Sequence, residues 1–157
     1  MATETKEMIF TMGSPGAGKS YTANKLYPSI ERLDCDEIKK QHPDYDPKNP
    51  GSVHDWSSVE LSKQVAKAML GDSSVIVDGT GANSEKLVRW ITEARANGFH
   101  TKLLFVTCSL KTALERNASR ERSVPAGLVA EKFKDVAFSF QIVAPHADEV
   151  LTINNEN

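Results

Sequence analysis

At 157 residues, with 39% apolar residues, 25% charged residues and a formal net charge of −2, the chain has the composition of one soluble globular domain, residues 1–157, with a single core. No apolar run approaches the ~18 residues of a membrane span. MATETKEM lacks the basic and apolar regions of a secretory leader, and the charge excludes nucleic-acid attraction over the whole surface, leaving room only for a local basic patch.

Apolar runs alternate with amphipathic stretches along the chain. EMIFTM (7–12) predicts a buried strand, and residues 18–27 a helix stopped by Pro28. SIERLD (29–34) is a weaker strand, and 36–41 a short helix ended before Pro43. HPDYDPKNPGSVH (42–54) is Pro-rich and predicts a loop. Ser57 and Glu60 have capping-box spacing and open a helix with Leu61, Val65, Ala68 and Met69 on one face. SSVIVD (73–78) is a strand; 84–97 is a helix with Gly98 as its stop; KLLFVT (102–107) is a strand. Helices over 109–116 and 126–140 precede a last strand, DEVLTI (148–153). Strands separated by helices predict an α/β fold, a five-stranded parallel sheet with helices on both faces. In such sheets the ligand lies at the carboxyl ends of the strands, so the polar residues that follow strands are the chemical candidates.

The first of these is GSPGAGKS (13–20), a full match to the Walker A pattern G-x-x-x-x-G-K-[ST] between a strand and a helix. Glycines let successive N–H groups turn inward around a phosphate, and the helix N-terminus adds its positive dipole end. Gly13, Ser14, Pro15, Gly16, Ala17, Gly18, Lys19, Ser20 and Tyr21 are therefore the predicted nucleotide contacts, with Lys19 on the β- and γ-phosphates and Ser20 on Mg²⁺. Asp78, at the end of VIVD, is a second metal candidate or an acceptor contact.

A GTP switch would carry N-K-x-D after a later strand, and none is present. A motor would follow its third-strand Asp with a Glu, where this chain has Gly79 and Thr80. A kinase needs a base and arginines for the transferring group. Asp36, just beyond the second strand, fits a base as well as a helix cap, and Asp34 is its rival. Arg116, Arg120 and Arg122, in LERNASRERSVP, fit a lid closing over phosphates as well as a solvated basic helix end. His42, His54, Trp56 and Trp90 read as capping or packing residues, with Tyr45 and Trp56 the candidates to stack on a base. Cys35 and Cys108 give neither metal spacing nor a disulfide framework, which points to a reducing cytoplasm.

The order of a P-loop, D-x-x-[KR], "DGT" and R-N-x-x-x-R…VP resembles the zeta-toxin and polynucleotide-kinase group of P-loop kinases over residues 8–153. DEIKKQHPDYD, VHDWSS and VDGTGAN are similar to zeta-toxin segments, and RNASRERSVP is similar to the polynucleotide-kinase lid. The resemblance implies a P-loop kinase fold with a short Arg-bearing lid, and MgATP as phosphoryl donor. It implies Asp36 as general base, and an acceptor site at Asp34, Lys39, Asp78, Thr80 and Asn83, with Lys39 where both families usually carry a phosphate-binding arginine. Arg116, with Arg120 or Arg122, matches the γ-phosphate arginines. The implied acceptor is a nucleotide sugar such as UDP-N-acetylglucosamine; the alternative is the 5′-hydroxyl end of RNA or DNA, and a nucleotide-dependent switch is the reading from another class. No membrane partner is implied, and the residues themselves specify no antitoxin or host partner.

Overall fold

The computed structural model describes residues 5–14, 16–49, 53–119 and 124–156. The elements run β1 (Glu7–Met12), α1 (Lys19–Leu26), β2 (Glu31–Asp34), α2 (Cys35–Lys39), α3 (His54–Met69), β3 (Val75–Asp78), α4 (Ser84–Ala96), β4 (His100–Thr107), α5 (Leu110–Ala118), α6 (Ala126–Val143) and β5 (Glu149–Asn154). The five strands form one sheet in the order β2-β3-β1-β4-β5, and every pair is parallel.

Side-chain alternation on the central strand divides the core in two. Met8, Phe10 and Met12 project to one face with Val75, Val77 and Leu103, against Leu61 and Val65 of α3, Leu87 and Ile91 of α4, and Val136 of α6. Ile9 projects to the other face with Ile76, Leu104 and Val106, against Ala23 of α1, Ala113 of α5 and Val129 of α6. β1 is therefore apolar on both sides, which is why its sequence reads as a continuous run rather than an alternating one. Each such large side chain contributes about 1.5–3 kcal/mol by leaving water.

Two expectations change. α3 opens at His54, three residues before the Ser57–Glu60 pair, so Ser57 is no cap. It is fully buried in the first turn, where its hydroxyl donates to the His54 carbonyl (2.8 Å) and lies 3.0 Å from Cys35 Sγ. Bonding back to the preceding turn satisfies the hydroxyl inside the helix. Trp56 is also not core: it is 37% exposed and meets the His42 ring edge-on at 4.9 Å, whereas Trp90 is buried in the core.

Asp148 locks the start of the β4–β5 pair. Its carboxylate accepts from the backbone N–H and the hydroxyl of Thr101, both at 2.9 Å, and Thr101 is fully buried. Asp148→Ala is expected to lower stability by about 1–3 kcal/mol, because a buried N–H loses its partner; the midpoint of urea unfolding measures it. The same hydrogen bonds hold the Asp148 carboxyl below its ordinary 3.8. Its contribution is thus present above pH 3.8 and is lost as pH falls through the lower folded value, an acid-side loss that the variant lacks.

Candidate functional site

The carboxyl ends of β1, β3 and β2 lie side by side and carry the polar groups of the site. The loop after β1 owes its shape to glycine. Gly16 and Gly18 have φ of 87° and 90°, in the left-handed region. A side chain at Gly16 would strike the carbonyl of Ala113 on α5, and one at Gly18 would strike Asn155 just past β5. At Gly13 a Cβ would sit 2.6 Å from the Val106 carbonyl and 2.8 Å from Lys19 Cγ. The stem of Lys19 therefore folds back across the loop. Hydrogen bonds tie the loop down: Gly13 N–H donates to Thr80 O (3.0 Å), Ala17 N–H to Ser14 O (3.1 Å), and Asn155 Nδ2 to Ala17 O (3.0 Å). α1 begins at Lys19 after Gly18, a residue with no side chain to cap it, and the first N–H groups of a helix so begun have no intrahelical partners. This is a backbone that a Cβ would fill and that suits a phosphate.

Beside it stands an acidic pair. In register, Asp34 at the end of β2 pairs with Asp78 at the end of β3. Asp78 is 3% exposed; its Oδ1 accepts from Thr11 Oγ1 (2.9 Å) and its Oδ2 from Ser20 Oγ (2.8 Å). A hydroxyl and a carboxylate at this spacing, at the foot of a phosphate cradle, are oxygen donors that suit Mg²⁺. Arg32 NH1 reaches Asp78 Oδ2 (2.7 Å), Asp34 Oδ2 (2.8 Å) and Ser20 Oγ (2.9 Å). Burial opposes the Arg32 charge, but the Asp78 hydrogen bond and the Asp34 and Asp78 charges outweigh it and raise its pKa. Burial, then the charges of Asp78 and Asp36, push the Asp34 carboxyl up from 3.8 to about 6.

Asp34 caps α2: its Oδ1 accepts from Asp36 N–H at 2.9 Å. Asp36 thus enters the helix directly above the sheet's carboxyl edge. Its carboxylate lies 3.7 Å from the ammonium of Lys39 one turn on, a lysine only 8% exposed. Nearby, His54 has its pKa lowered first by burial and then by the charge of Lys39, with Lys132 and Lys86 acting in the same direction. Lys39 of α2, Lys86 of α4 and Lys132 of α6 thus all act on His54 of α3.

The other predicted residues are placed as follows. Arg116, in the last turn of α5, donates to the carbonyls of Gly16 (3.4 Å) and Ala17 (3.3 Å). Thr80 supplies its carbonyl to Gly13 and its hydroxyl to Ala82 N–H (3.3 Å), and Asn83 caps α4 by accepting from Lys86 N–H (3.1 Å). Tyr21 is exposed on α1. Pro15, Arg120 and Arg122, with most of the predicted lid, lie outside the described residues. On either side of that stretch, Asn117 exchanges hydrogen bonds with the backbone of Val124 at 2.7 and 3.1 Å.

Sequence reasoning missed Arg32, Thr11 and Asn155. Arg32 was detectable in principle: two residues before Asp34 on one strand, it shares that residue's face. Thr11 is the one hydroxyl in β1, set in the apolar run that follows Glu7. Asn155 gives no local signal, because its partner is the loop at the far end of the chain.

Known proteins place this geometry. A viral protein described as a bifunctional polynucleotide kinase/RNA ligase, from Autographa californica nuclear polyhedrosis virus, is 27% identical over 132 residues, covering 77% of this chain and 19% of that protein. Among solved structures, the AvrRxo1-ORF1:AvrRxo1-ORF2 complex with ATP aligns with TM-score 0.75 at 16% identity, over 90% of this chain and 50% of that one. The PezAT chromosomal toxin–antitoxin system of Streptococcus pneumoniae aligns with TM-score 0.70 at 13% identity, over 97% and 68%. The chain spans about a fifth of the curated relative it matches and half of the AvrRxo1 chain. The sheet with its glycine loop is a three-layer P-loop kinase fold, and the zeta toxin family model matches residues 1–151: the chain belongs to the zeta toxin family.

Proposed function

We propose that the chain is an ATP-dependent phosphotransferase that moves the γ-phosphate of ATP to a hydroxyl of a nucleotide-linked acceptor. The observation that carries the reading is one arrangement: a glycine cradle with Lys19 folded over it, and the Asp36 turn across the carboxyl edge of the same sheet.

The loop amides and Lys19 bind and orient the triphosphate, and Ser20 with Asp78 would hold Mg²⁺, which when bound neutralises charge on the β- and γ-phosphate oxygens. Asp36 takes the proton of the acceptor hydroxyl. The acceptor oxygen then forms its bond to the γ-phosphorus as the bond to the β–γ bridging oxygen breaks, and ADP leaves. Arg116, with Arg120 or Arg122, stabilises charge on the transferring group. Asp34 serves as a structural anchor, since one of its oxygens accepts from Asp36 N–H and the other from Arg32. Most of the rate gain comes from positioning and charge stabilisation.

For the acceptor, the basic groups Lys39, Lys86 and Lys132 around His54 favour an anionic molecule. A nucleotide sugar such as UDP-N-acetylglucosamine meets that requirement and accords with the family. The viral relative's description supports the second reading, a polynucleotide 5′-hydroxyl kinase. The two separate in a salt series with γ-labelled ATP. Transfer to a nucleotide sugar is expected with a KM that moves less than about threefold between 50 and 200 mM salt. An oligonucleotide acceptor gripped through several phosphates would instead weaken by tenfold or more, on the order of the counterion-release slope. A nucleotide-gated switch predicts no transfer to either, and a partner that docks in one nucleotide state only. The relatives' toxin–antitoxin complexes make an antitoxin the first such partner to test.

A further inference from the structure

Ser20 Oγ, Asp34 Oδ2 and Asp78 Oδ2 converge on a single nitrogen, NH1 of Arg32, at 2.9, 2.8 and 2.7 Å. Two of those oxygens, on Ser20 and Asp78, are the pair assigned above to the metal. Asp34 and Asp78 lie directly opposite each other in the β2–β3 register, and both are under a tenth exposed. Two carboxylates so placed repel unless a cation lies between them. Arg32 is that cation, carried on β2 two residues before Asp34 with its side chain 19% exposed.

We propose that Arg32 is a resident counter-cation that competes with the divalent ion for Ser20 and Asp78. It holds both in the nucleotide-free protein, and on metal entry it releases them while keeping Asp34. This rests on the assignment of Ser20 and Asp78 to Mg²⁺. The guanidinium cannot be deprotonated in a protein, so Arg32 keeps its charge at any working pH. Its consequence is that divalent ions bind poorly without the triphosphate and enter together with it, because phosphate oxygens supply the ligands that displace a fixed charge. Arg32 is thus a positioning residue that couples metal binding to nucleotide binding.

The test uses Mn²⁺ as probe on the full chain without nucleotide, reading free Mn²⁺ by its electron paramagnetic resonance signal. Arg32→Met keeps the stem and removes the charge. It is expected to bind Mn²⁺ about tenfold more tightly than the natural protein, and to gain more thermal stability from Mn²⁺, because two uncompensated carboxylates remain. Arg32→Lys keeps the charge without the fork and is expected to stay within about threefold of the natural protein. A merely structural arginine would weaken Mn²⁺ binding when removed. Unchanged or weaker binding in Arg32→Met therefore overturns the proposal. If Arg32→Met does not fold, Asp34→Asn reports instead: it withdraws one anchor from Arg32, so the guanidinium holds Ser20 and Asp78 more fully, and Mn²⁺ binding without nucleotide must fall. Equal Mn²⁺ binding in that variant and the natural protein overturns the proposal as well. Neither measurement involves an acceptor, so a failed acceptor screen leaves this result standing, and a failed Mn²⁺ result leaves phosphoryl transfer standing.

Discussion

Asp36→Asn is expected to lower phosphoryl transfer about 10²–10⁴-fold while leaving ATP affinity within twofold of the natural protein. The substitution is isosteric. The α2 cap is supplied by Asp34 through the Asp36 backbone N–H, which asparagine keeps, so the helix should stand. What disappears is the carboxylate proposed to receive the acceptor proton. Single-turnover transfer with γ-labelled ATP and calorimetric ATP binding separate the two quantities. Full activity in the variant would move the base elsewhere, and Asp34 would then be the first residue to test. Burial and the neighbouring carboxylates raise its pKa, but its two oxygens are engaged by Arg32 and by the Asp36 N–H. Taking a proton there would cost the salt bridge and the cap together.

Lys19→Met is expected to cost about 10²–10³ in kcat/KM, the scale of one lost charge donor at a transition state. Met fills the space of the lysine stem where it crosses Gly13, so loop packing is retained and the loss falls on the charge. The midpoint of thermal unfolding, measured beside kcat/KM, separates a loss of charge at the phosphates from a loss of fold stability. If activity and thermal stability fell together, the lysine would be a structural strut of the loop.

Why the fold was readable from sequence while parts of the site were not follows from the range of the interactions involved. β1 and β3 are apolar on both faces because helices cover both, so EMIFTM and VIVD declare themselves. Glycines at 16 and 18 are legible because only glycine accepts both their φ angles and the closeness of Ala113 and Asn155. Asp78 and Asp34 are legible as polar ends of strands. The start of α3 was not: Ser57 and Glu60 match a cap pattern, but the hydroxyl is used from inside the helix against Cys35 and His54. Arg32 was passed over because a charged residue on a short strand reads as solvent-facing, and its partners come from β3 and α1, 46 and 12 residues away. Asn155 is legible only once β5 is placed next to β4, which brings it to the loop. Arg116 is legible as one of the arginines of LERNASRERSVP, and its contact with the Gly16 and Ala17 carbonyls puts it at the cradle.

The most direct measurement of the central claim is a crystal structure of the chain with Mg²⁺ and a non-hydrolysable ATP analogue. The account predicts the triphosphate in the loop of residues 13–20, Lys19 on the γ-phosphate, and the Asp36 carboxylate facing that phosphate across an opening wide enough for a hydroxyl. An analogue seated in the loop with Asp36 turned to solvent, or with its γ-phosphate walled off from α2, would contradict it.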